Sequence, residues 1–334
     1  MINSSPLVRS AARPAVICIT PVKNEAWILD AFLRGATEWA DEIILADQCS
    51  TDDSLAIARS FSKVRIISNS SKGFNEPERQ SLLISAAREK PGPKIIIAID
   101  ADEMLSPAWQ ETADWQRVLS APAGSAFGLR WLNVGPDFTD GSDGEYAVPC
   151  IYIDDGRPHV GAAIHSPRIP VAAGATVVAL GEIRLLHFNF VDSRRLAAKR
   201  RWYMCLERIK FPEKSLVQIH DKYDYAGVHS RIPRSPIPDA WLERMAKMGV
   251  SAQKLCRTDA DGFYWYDREV RGWLEQYGAD KFAYLPIWEE GLPWADCSWP
   301  AATQWKQRIF FGLLRARYRI WARIFLSLLR RVGV

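Results

Sequence analysis

Three acidic side chains directly follow an aliphatic run in the stretch IIIAIDADEML, residues 95–105. The run is typical of a buried strand, but carboxylates at its end repel one another unless water, a basic side chain or a metal compensates their charge. Asp100 and Asp102 are two residues apart, so both side chains point the same way in an extended chain. Such a pair suits a hard divalent cation and a ligand rich in hydroxyl groups. The spacing therefore predicts a site for Mn²⁺ or Mg²⁺ and a ligand of that kind.

Other polar residues follow aliphatic runs in the same way. Lys23, Asn24 and Glu25 come after the run AVICIT, and Asp47 comes directly after EIILA. In a parallel sheet the carboxyl ends of all strands lie at one edge, and ligands bind in the crevice there. We therefore expect these residues to meet the aspartate pair at one edge of a sheet.

The surrounding sequence alternates strand-like and helix-like runs. Strands are predicted over residues 15–20, 42–46, 64–68 and 94–99, with helices over 26–39, from Thr51 or Asp52 to about 61, and over about 76–88. This βαβαβαβ series predicts an α/β fold with a Rossmann-like, open and mostly parallel sheet that carries helices on both faces.

Beyond residue 127 the pattern is mixed. Strand-like runs include AFGLRWLNV and IRLLHF, and helices are predicted at 192–210, 238–248 and 267–276. We predict four parts: a flexible tail over 1–14, a catalytic domain over 15–210, a smaller and partly helical accessory region over 211–303, and a basic helix over 304–334.

Composition narrows the class of protein. The six cysteines include no C-x-x-C pair, which argues against a zinc site or a disulfide framework and favours a reducing cytoplasm. No run of 18 uncharged apolar residues occurs, so we expect no membrane-spanning helix. The sequence also lacks G-x-G-x-x-G and G-x-x-x-x-G-K-[ST], so backbone amides of those loops do not bind phosphate here. A metal with a few basic side chains is expected to do so instead.

Four stretches of the chain, in order, resemble the nucleotide-sugar glycosyltransferases of family 2, which have the GT-A fold. They are TPVKNEAWILDAFL, DEIILADQCSTDDS, ERQSLL and IIIAIDADEML. The order and spacing match over residues 15–107, and a looser likeness continues to about 205. The resemblance implies transfer of a sugar from a nucleotide-diphosphate donor, by default a UDP-sugar, to a glycan or glycolipid acceptor.

The resemblance also implies roles in nucleotide binding. Pro21, Asn24 and Glu25 match the loop of the family's nucleobase pocket, and Asp47 matches a carboxylate that accepts the N–H of the base. Arg79 stands where a basic residue approaches the nucleotide. The alternative is that Asp47 has only a structural role, as the first residue of a turn.

The metal site is implied in the same way. Asp100 matches the ribose-facing first aspartate of the D-x-D motif, and Asp102 matches the one that holds the metal. His187, in RLLHFNF, matches a late histidine that completes the metal shell in many relatives. Imidazole suits Mn²⁺ better than Mg²⁺. Without the resemblance, His187 in an apolar strand would be interpreted as a core histidine.

The catalytic base of the expected inverting reaction has no clear match. Relatives show a His-Glu or Glu-Asp pair, whereas the matching stretch AIHSP has Ser166 after His165, and serine is not a comparable base at neutral pH. The loop GPDFTDGSDGEY offers acidic substitutes, namely Asp137, Asp140, Asp143 and Glu145. Among them we choose Asp140.

The last 31 residues, 304–334, contain eight Lys or Arg and no acid, in a chain of net charge +4. At 100° per residue, five arginines fall within an arc of about 80°, opposite an apolar face. They are Arg308, Arg315, Arg319, Arg323 and Arg330. Such a helix can lie in an anionic membrane interface or dock on the catalytic domain, and both interpretations stay open. Because the basic residues are confined to one terminal segment, nucleic-acid binding is not expected.

The sequence as a whole predicts a cytoplasmic transferase, peripheral to the inner face of the cytoplasmic membrane, that builds lipopolysaccharide, capsule or another surface glycan. Two alternatives stay open. A nucleotidyltransferase of related topology would carry a Gly-rich basic loop after the first strand, which PVKNEA lacks. A catalytically silent module that binds nucleotide sugar and tethers a complex to the membrane would explain the missing His-Glu base.

Overall fold

The computed structural model describes residues 13–70, 75–161, 166–171, 174, 176–223, 233–251, 255, 263–288, 291–294 and 312. The predicted tail over 1–14, apart from its last two residues, and the basic helix over 304–334, apart from Gly312, lie outside this part of the chain. So does His165.

The described strands and helices follow the predicted series closely in the first half of the chain. The strands are β1 (Ala15–Val22), β2 (Glu42–Asp47), β3 (Val64–Ser68), β4 (Lys94–Ala98), β5 (Glu103–Leu105), β6 (Ala126–Val134), β7 (Asp140–Ile153), β8 (Val178–His187) and β9 (Ser235–Pro236). The α-helices are α1 (Leu29–Thr37), α2 (Ser54–Arg59), α3 (Glu76–Arg88), α4 (Ala113–Ser120), α5 (Ser193–Lys210), α6 (Leu216–Tyr223), α7 (Asp239–Lys247) and α8 (Trp265–Tyr277). The predicted α/β class is confirmed.

The strands form one mixed sheet in the order β3-β2-β1-β4-β7-β6-β8-β5, with β9 paired to β7. The pairs β3-β2, β2-β1 and β1-β4 are parallel, as the βαβ pattern predicts. Beyond β4 the direction changes, because β7 runs antiparallel to both β4 and β6, and β5 runs antiparallel to β8. The sequence pattern did not predict β5, which is three residues long.

The parallel half of the sheet is buried on both faces. Val16 and Cys18 of β1 pack with buried residues of α1, α2 and α4. Ile17 and Ile19, which alternate with them, pack on the other face with α3. Since both faces of a strand are covered, the strand must be apolar throughout, which explains the continuous aliphatic runs of the sequence.

Packing divides the chain into two compact units, one of residues 1–192 with 233–257 and one of 193–232 with 258–334. The sheet belongs to the first unit. In the second unit, α5 and α8 are joined by an ion pair between Arg201 and Asp267, with an N–O distance of 2.8 Å between two buried side chains. The predicted division at residue 210 into a catalytic domain and an accessory region stays a prediction.

In the part of the chain that the structure describes, helices that combine the length and the apolar character needed to cross a bilayer are absent.

Candidate functional site at the carboxyl edge of the sheet

The parallel strands bring the predicted polar residues to one edge of the sheet. Val22, at the end of β1, is the register partner of Asp47, at the end of β2. On the other side of β1, Ile19 pairs with Ala98, and Asp100 follows two residues after Ala98. Asp47 and Asp100 therefore lie at the same edge, one on each side of β1.

The loop after β1 is bound through side chains to the loop after β2. The backbone N–H of Asn24 donates to Oγ of Ser50 at 2.9 Å, and the N–H of Thr51 donates to Oδ1 of Asn24 at 2.7 Å. Asn24 has a φ of 54°, a left-handed conformation that asparagine tolerates better than most residues. Asn24 thus fixes one loop against the other.

Glu25 and Asp52 extend this connection. The N–H of Glu25 donates to Oγ of Ser54 at 2.9 Å, and the N–H of Ala26 donates to Oδ2 of Asp52 at 3.0 Å. Oε2 of Glu25 accepts the indole N–H of Trp27 at 2.6 Å. The Asp52 carboxylate also accepts the N–H of Ser54, the first residue of α2, at 3.0 Å, while Asp53 is the N-cap residue and makes no side-chain capping hydrogen bond.

Asp47 is a buried carboxylate at the end of β2, with 7% of its surface exposed. Its two oxygens accept the N–H of Ser50 at 3.3 Å, and its carbonyl accepts the N–H of Asn69 at 2.8 Å. Pro21 lies opposite Ala46 in the β1-β2 register. These contacts fix Asp47 at the start of the loop after β2, while its assignment as the acceptor of the base N–H stays a prediction.

Arg79 lies in the first turn of α3, half-buried. At the start of the helix, Oδ1 of Asn75 accepts the N–H of Glu78 at 3.4 Å. A proline occupies one of the first helical positions, where a backbone N–H would have no partner within the helix. Glu76, in the same turn, accepts the backbone N–H of Ser166 at 2.6 Å. This contact ties the start of α3 to the segment 166–171.

An arginine from that segment supplies positive charge to the acidic stretch after β4. Arg168 donates to Oδ2 of Asp100 at 2.7 Å and to both carboxylate oxygens of Glu103, with one of these N–O distances at 3.0 Å. The guanidinium therefore binds two of the three carboxylates that the sequence places here. Sequence reasoning expected a metal as the compensating charge and missed Arg168, which lies more than 60 residues away.

Glu103 is the buried centre of this ion network, with 1% of its surface exposed. Its oxygens also accept the N–H of Asp100 at 2.9 Å and the indole N–H of Trp131 at 2.6 Å. Burial raises the pKa of Glu103, while Arg168 opposes this change. Burial alone would lower the pKa of Arg168, but Asp100 and Glu103 raise it well above its ordinary value, so Arg168 stays cationic.

Asp102 and His187 lie on adjacent segments. The N–H of Phe188 donates to the carbonyl of Asp102 at 2.9 Å, and Glu103 is the register partner of His187. Nδ1 of His187 lies 2.9 Å from Oδ1 of Asn133. Because an amide oxygen can only accept, this contact places a proton on Nδ1, and in that tautomer Nε2 is the nitrogen that could bind a metal.

Asp102 and His187 are the candidate donors for a divalent cation that is shared with a ligand. Among the described residues, three or more His, Cys, Asp or Glu side chains do not gather into a metal site. Asp102 and His187 would supply one oxygen and one nitrogen donor. Mg²⁺ in nucleotide enzymes is commonly held by one or two protein carboxylates together with phosphate oxygens and water. Two protein donors are therefore enough only where a diphosphate supplies the others.

Asp140, the predicted base, lies at the start of β7. Strand β7 pairs with β6 through Ser142 and Asn133, and β6 pairs with β8 through Asn133 and His187. Asp140 lies two residues before Ser142 in β7. Arg234 binds the Asp140 carboxylate with N–O distances of 2.7 and 2.8 Å, and this hydrogen bond lowers the pKa of Asp140. Asp140 is thus a carboxylate two strands from His187, on the same sheet.

The amino-terminal part of the chain is similar to a known family. Residues 17–113 match the model of glycosyl transferase family 2. The matched segment runs from within β1 through β5 and contains the carboxylates described above.

Several solved structures are similar to a part of this chain. Glucosyl-3-phosphoglycerate synthase from Mycobacterium tuberculosis, in complex with Mn²⁺, UDP and phosphoglyceric acid, is 19% identical over 36% of this chain and 44% of that chain, with a TM-score of 0.28. The same enzyme with Mg²⁺ and UDP is 19% identical over 37% and 44%, with a TM-score of 0.27. A 4-diphosphocytidyl-2C-methyl-D-erythritol synthase is 12% identical over 42% and 75%, with a TM-score of 0.28. The chain thus spans less than half the length of the first of these enzymes, and no activity of this chain follows from such a likeness.

The buried network predicts a large effect of Glu103→Ala on stability. This change leaves the buried Arg168 with fewer partners and removes the acceptor for the Trp131 indole, so we expect the free energy of unfolding to fall by about 3 kcal/mol. Urea denaturation followed by circular dichroism measures the loss. Glu111→Ala is the matched control, because Glu111 pairs with Arg244 where both side chains are well exposed, and about 0.5 kcal/mol or less is expected. Equal losses in the two variants would contradict the structural role of Glu103.

Proposed function

We propose that this chain transfers a sugar from a nucleotide-diphosphate donor, of the UDP-sugar class, to a hydroxyl group of a glycan or glycolipid. The observation that supports this proposal is the edge of the sheet in the segment that matches family 2. There Asp47 ends β2 on one side of β1, and Asp100 and Asp102 follow β4 on the other side. Three carboxylates at the carboxyl ends of parallel strands stand where α/β proteins bind their ligands.

The nucleoside is proposed to bind along the two joined loops. Asp47 accepts the N–H of the base, Asp100 faces the ribose, and Arg79 approaches the nucleotide. The hydrogen bonds that join Asn24 to Ser50 and Thr51 support this assignment, because they hold the pocket in shape before the ligand binds.

Asp102 and His187 are proposed to hold Mn²⁺ or Mg²⁺ together with the diphosphate. When bound there, the cation would neutralise the charge that grows on the departing diphosphate. Asn133 keeps the His187 ring in one tautomer, and Trp131 stacks on that ring at a centroid distance of 4.9 Å. These two neighbours orient the imidazole, so less rotational freedom is lost on binding.

Asp140 is proposed as the base of an inverting transfer. The acceptor oxygen attacks the anomeric carbon, the bond from that carbon to the diphosphate oxygen breaks, the nucleoside diphosphate leaves, and the acceptor proton passes to the Asp140 carboxylate. Arg234 lowers the pKa of Asp140, which keeps the carboxylate ionised at neutral pH. The outcome of the reaction and the identity of the base are both part of the proposal.

The basic segment 304–334 is proposed to bring the transferase to an anionic membrane surface, where lipid-linked acceptors of surface-glycan synthesis occur. The support is the stripe of five arginines opposite an apolar face in the sequence. This segment lies outside the described residues, apart from Gly312.

The metal assignment predicts that Asp102→Ala removes nucleotide-dependent binding of manganese. UDP with MnCl₂ should raise the melting temperature of the wild-type chain, whereas the variant should lose the manganese-dependent part of the shift. Asp53→Ala is the control, because Asp53 is an exposed carboxylate near the same edge and its side chain makes no capping hydrogen bond. A full shift in Asp102→Ala would rule out this residue as a ligand.

The base assignment predicts that Asp140→Asn slows UDP release from UDP-sugars by about 100-fold or more, with the UDP and manganese thermal shift intact. In the wild-type chain, the contribution of Asp140 should persist as the pH falls from about 8 to about 5, because its lowered pKa keeps the carboxylate ionised over this range. Asp137→Asn, in the same turn, is the control. Loss of activity in Asp137→Asn and not in Asp140→Asn would move the role of base to Asp137.

The membrane assignment predicts that the full chain sediments with vesicles containing phosphatidylglycerol and that deletion of residues 304–334 abolishes this binding. Replacing the five striped arginines by glutamine should have the same effect, since the apolar face alone gives weaker attraction to an anionic surface. Vesicles of phosphatidylcholine are the control. Sedimentation of the deleted chain would show that another surface carries the interaction.

A further inference from the structure

Arg168 is a cation held within the site rather than on its rim. Its side chain is 15% exposed, and its partners are Asp100, of which 40% is exposed, and Glu103, which is fully buried. Its guanidinium carbon also lies 5.9 Å from the centre of the Trp131 ring. Since the pKa of Arg168 is raised, this positive charge is permanent.

The hydrogen bonds around Arg168 hold its guanidinium in a single position. Glu103 is fixed by the Trp131 indole and by the N–H of Asp100, and Glu103 holds two nitrogens of the guanidinium. At the start of the segment that carries Arg168, the Ser166 N–H donates to the carboxylate of Glu76 in α3. Arg168 is therefore positioned both by a backbone contact of its segment and by contacts of its own side chain. Moving the guanidinium aside would break several hydrogen bonds.

A fixed cation here opposes binding of a bare divalent cation. Asp100, next to Arg168, is two residues from Asp102, and the register of β5 with β8 places His187 beside Glu103. A divalent ion held by Asp102 and His187 would meet the repulsion of a nearby guanidinium, which is weakly screened in a partly buried site. Arg168 also engages the Asp100 carboxylate, which could otherwise attract the ion.

A diphosphate changes this balance. Its oxygens complete the shell that two protein donors leave incomplete, and its negative charge attracts both the metal and the guanidinium. We propose that Arg168 makes binding of the divalent cation conditional on the nucleotide diphosphate, so that the two enter the site together. This inference rests on the proposed function and adds to it a residue that sets the order of binding.

Binding of the nucleotide diphosphate and binding of the cation would then be coupled. If UDP tightens the binding of Mn²⁺ by some factor, Mn²⁺ must tighten the binding of UDP by the same factor. Arg168 increases this factor in two ways, because it weakens binding of the metal alone and favours the diphosphate. Removing its charge should therefore tighten Mn²⁺ binding without nucleotide and reduce the coupling.

The experiment measures free Mn²⁺ by electron paramagnetic resonance during titration with MnCl₂, with and without saturating UDP. For Arg168→Gln we expect Mn²⁺ alone to bind about tenfold more tightly than to the wild-type chain, and the coupling factor to fall about tenfold. Arg168→Lys, which keeps the charge, should stay nearer to the wild type. Arg88→Gln is the matched control, because Arg88 pairs with Asp154 beside the start of β4, at the opposite end of that strand.

Arg168→Gln leaves Glu103 buried beside a neutral group and could unfold the chain. The double variant Arg168→Gln with Glu103→Gln removes both charges of the buried pair, and it should also bind Mn²⁺ alone more tightly than the wild type because Asp100 is released. Unchanged binding of Mn²⁺ alone in the folded variants, or unchanged coupling, would overturn the inference while leaving the proposed function in place. Absence of UDP-dependent Mn²⁺ binding in the wild-type chain would contradict the proposed function itself, and the inference with it.

Discussion

The site depends on the ion network that Arg168 forms with Asp100 and Glu103. Three carboxylates crowd the end of a buried strand, and without a resident cation their mutual repulsion and desolvation would oppose folding of this edge. Arg168 offsets that cost through N–O contacts as short as 2.7 Å to Asp100 and through a bidentate contact to Glu103. The indole of Trp131 completes the network and connects it to the stacked ring of His187. The His187 ring thus stacks on an indole that is itself bound to the buried ion network.

The parallel half of the fold could be predicted from sequence because each strand there is covered on both faces. Such strands are continuous aliphatic runs, so β1 to β4 were located to within a residue or two, and apolar residues at helical spacing indicated the first helix between them. The other half could not be ordered in this way. The antiparallel placement of β7 between β4 and β6, and the short β5 at the far side of β8, depend on pairings between distant segments that leave no local pattern.

The candidate site, like the fold, could be predicted from the sequence only in part. Asp47, Asp100 and Asp102 could be expected at one edge because strand ends in a parallel sheet share an edge. The sequence also required a positive partner for the acidic stretch, but it could not indicate which one. Arg168 and Asn133 reach the site from a loop and from β6, and neither residue carries a local signal of its role. Glu103 was visible as the third acid, although its burial and its contact with Trp131 depend on tertiary packing alone.

The hydrogen bonds between the loops after β1 and β2 have a consequence for engineering. Asn24 contacts Ser50 and Thr51, while Ser54 and Asp52 hold the backbone of the first loop. The two loops therefore form a single structural unit, although more than twenty residues separate them in the chain. Replacing one loop alone would break these matched hydrogen bonds, so a change of sequence in this region requires both loops to be exchanged as a pair.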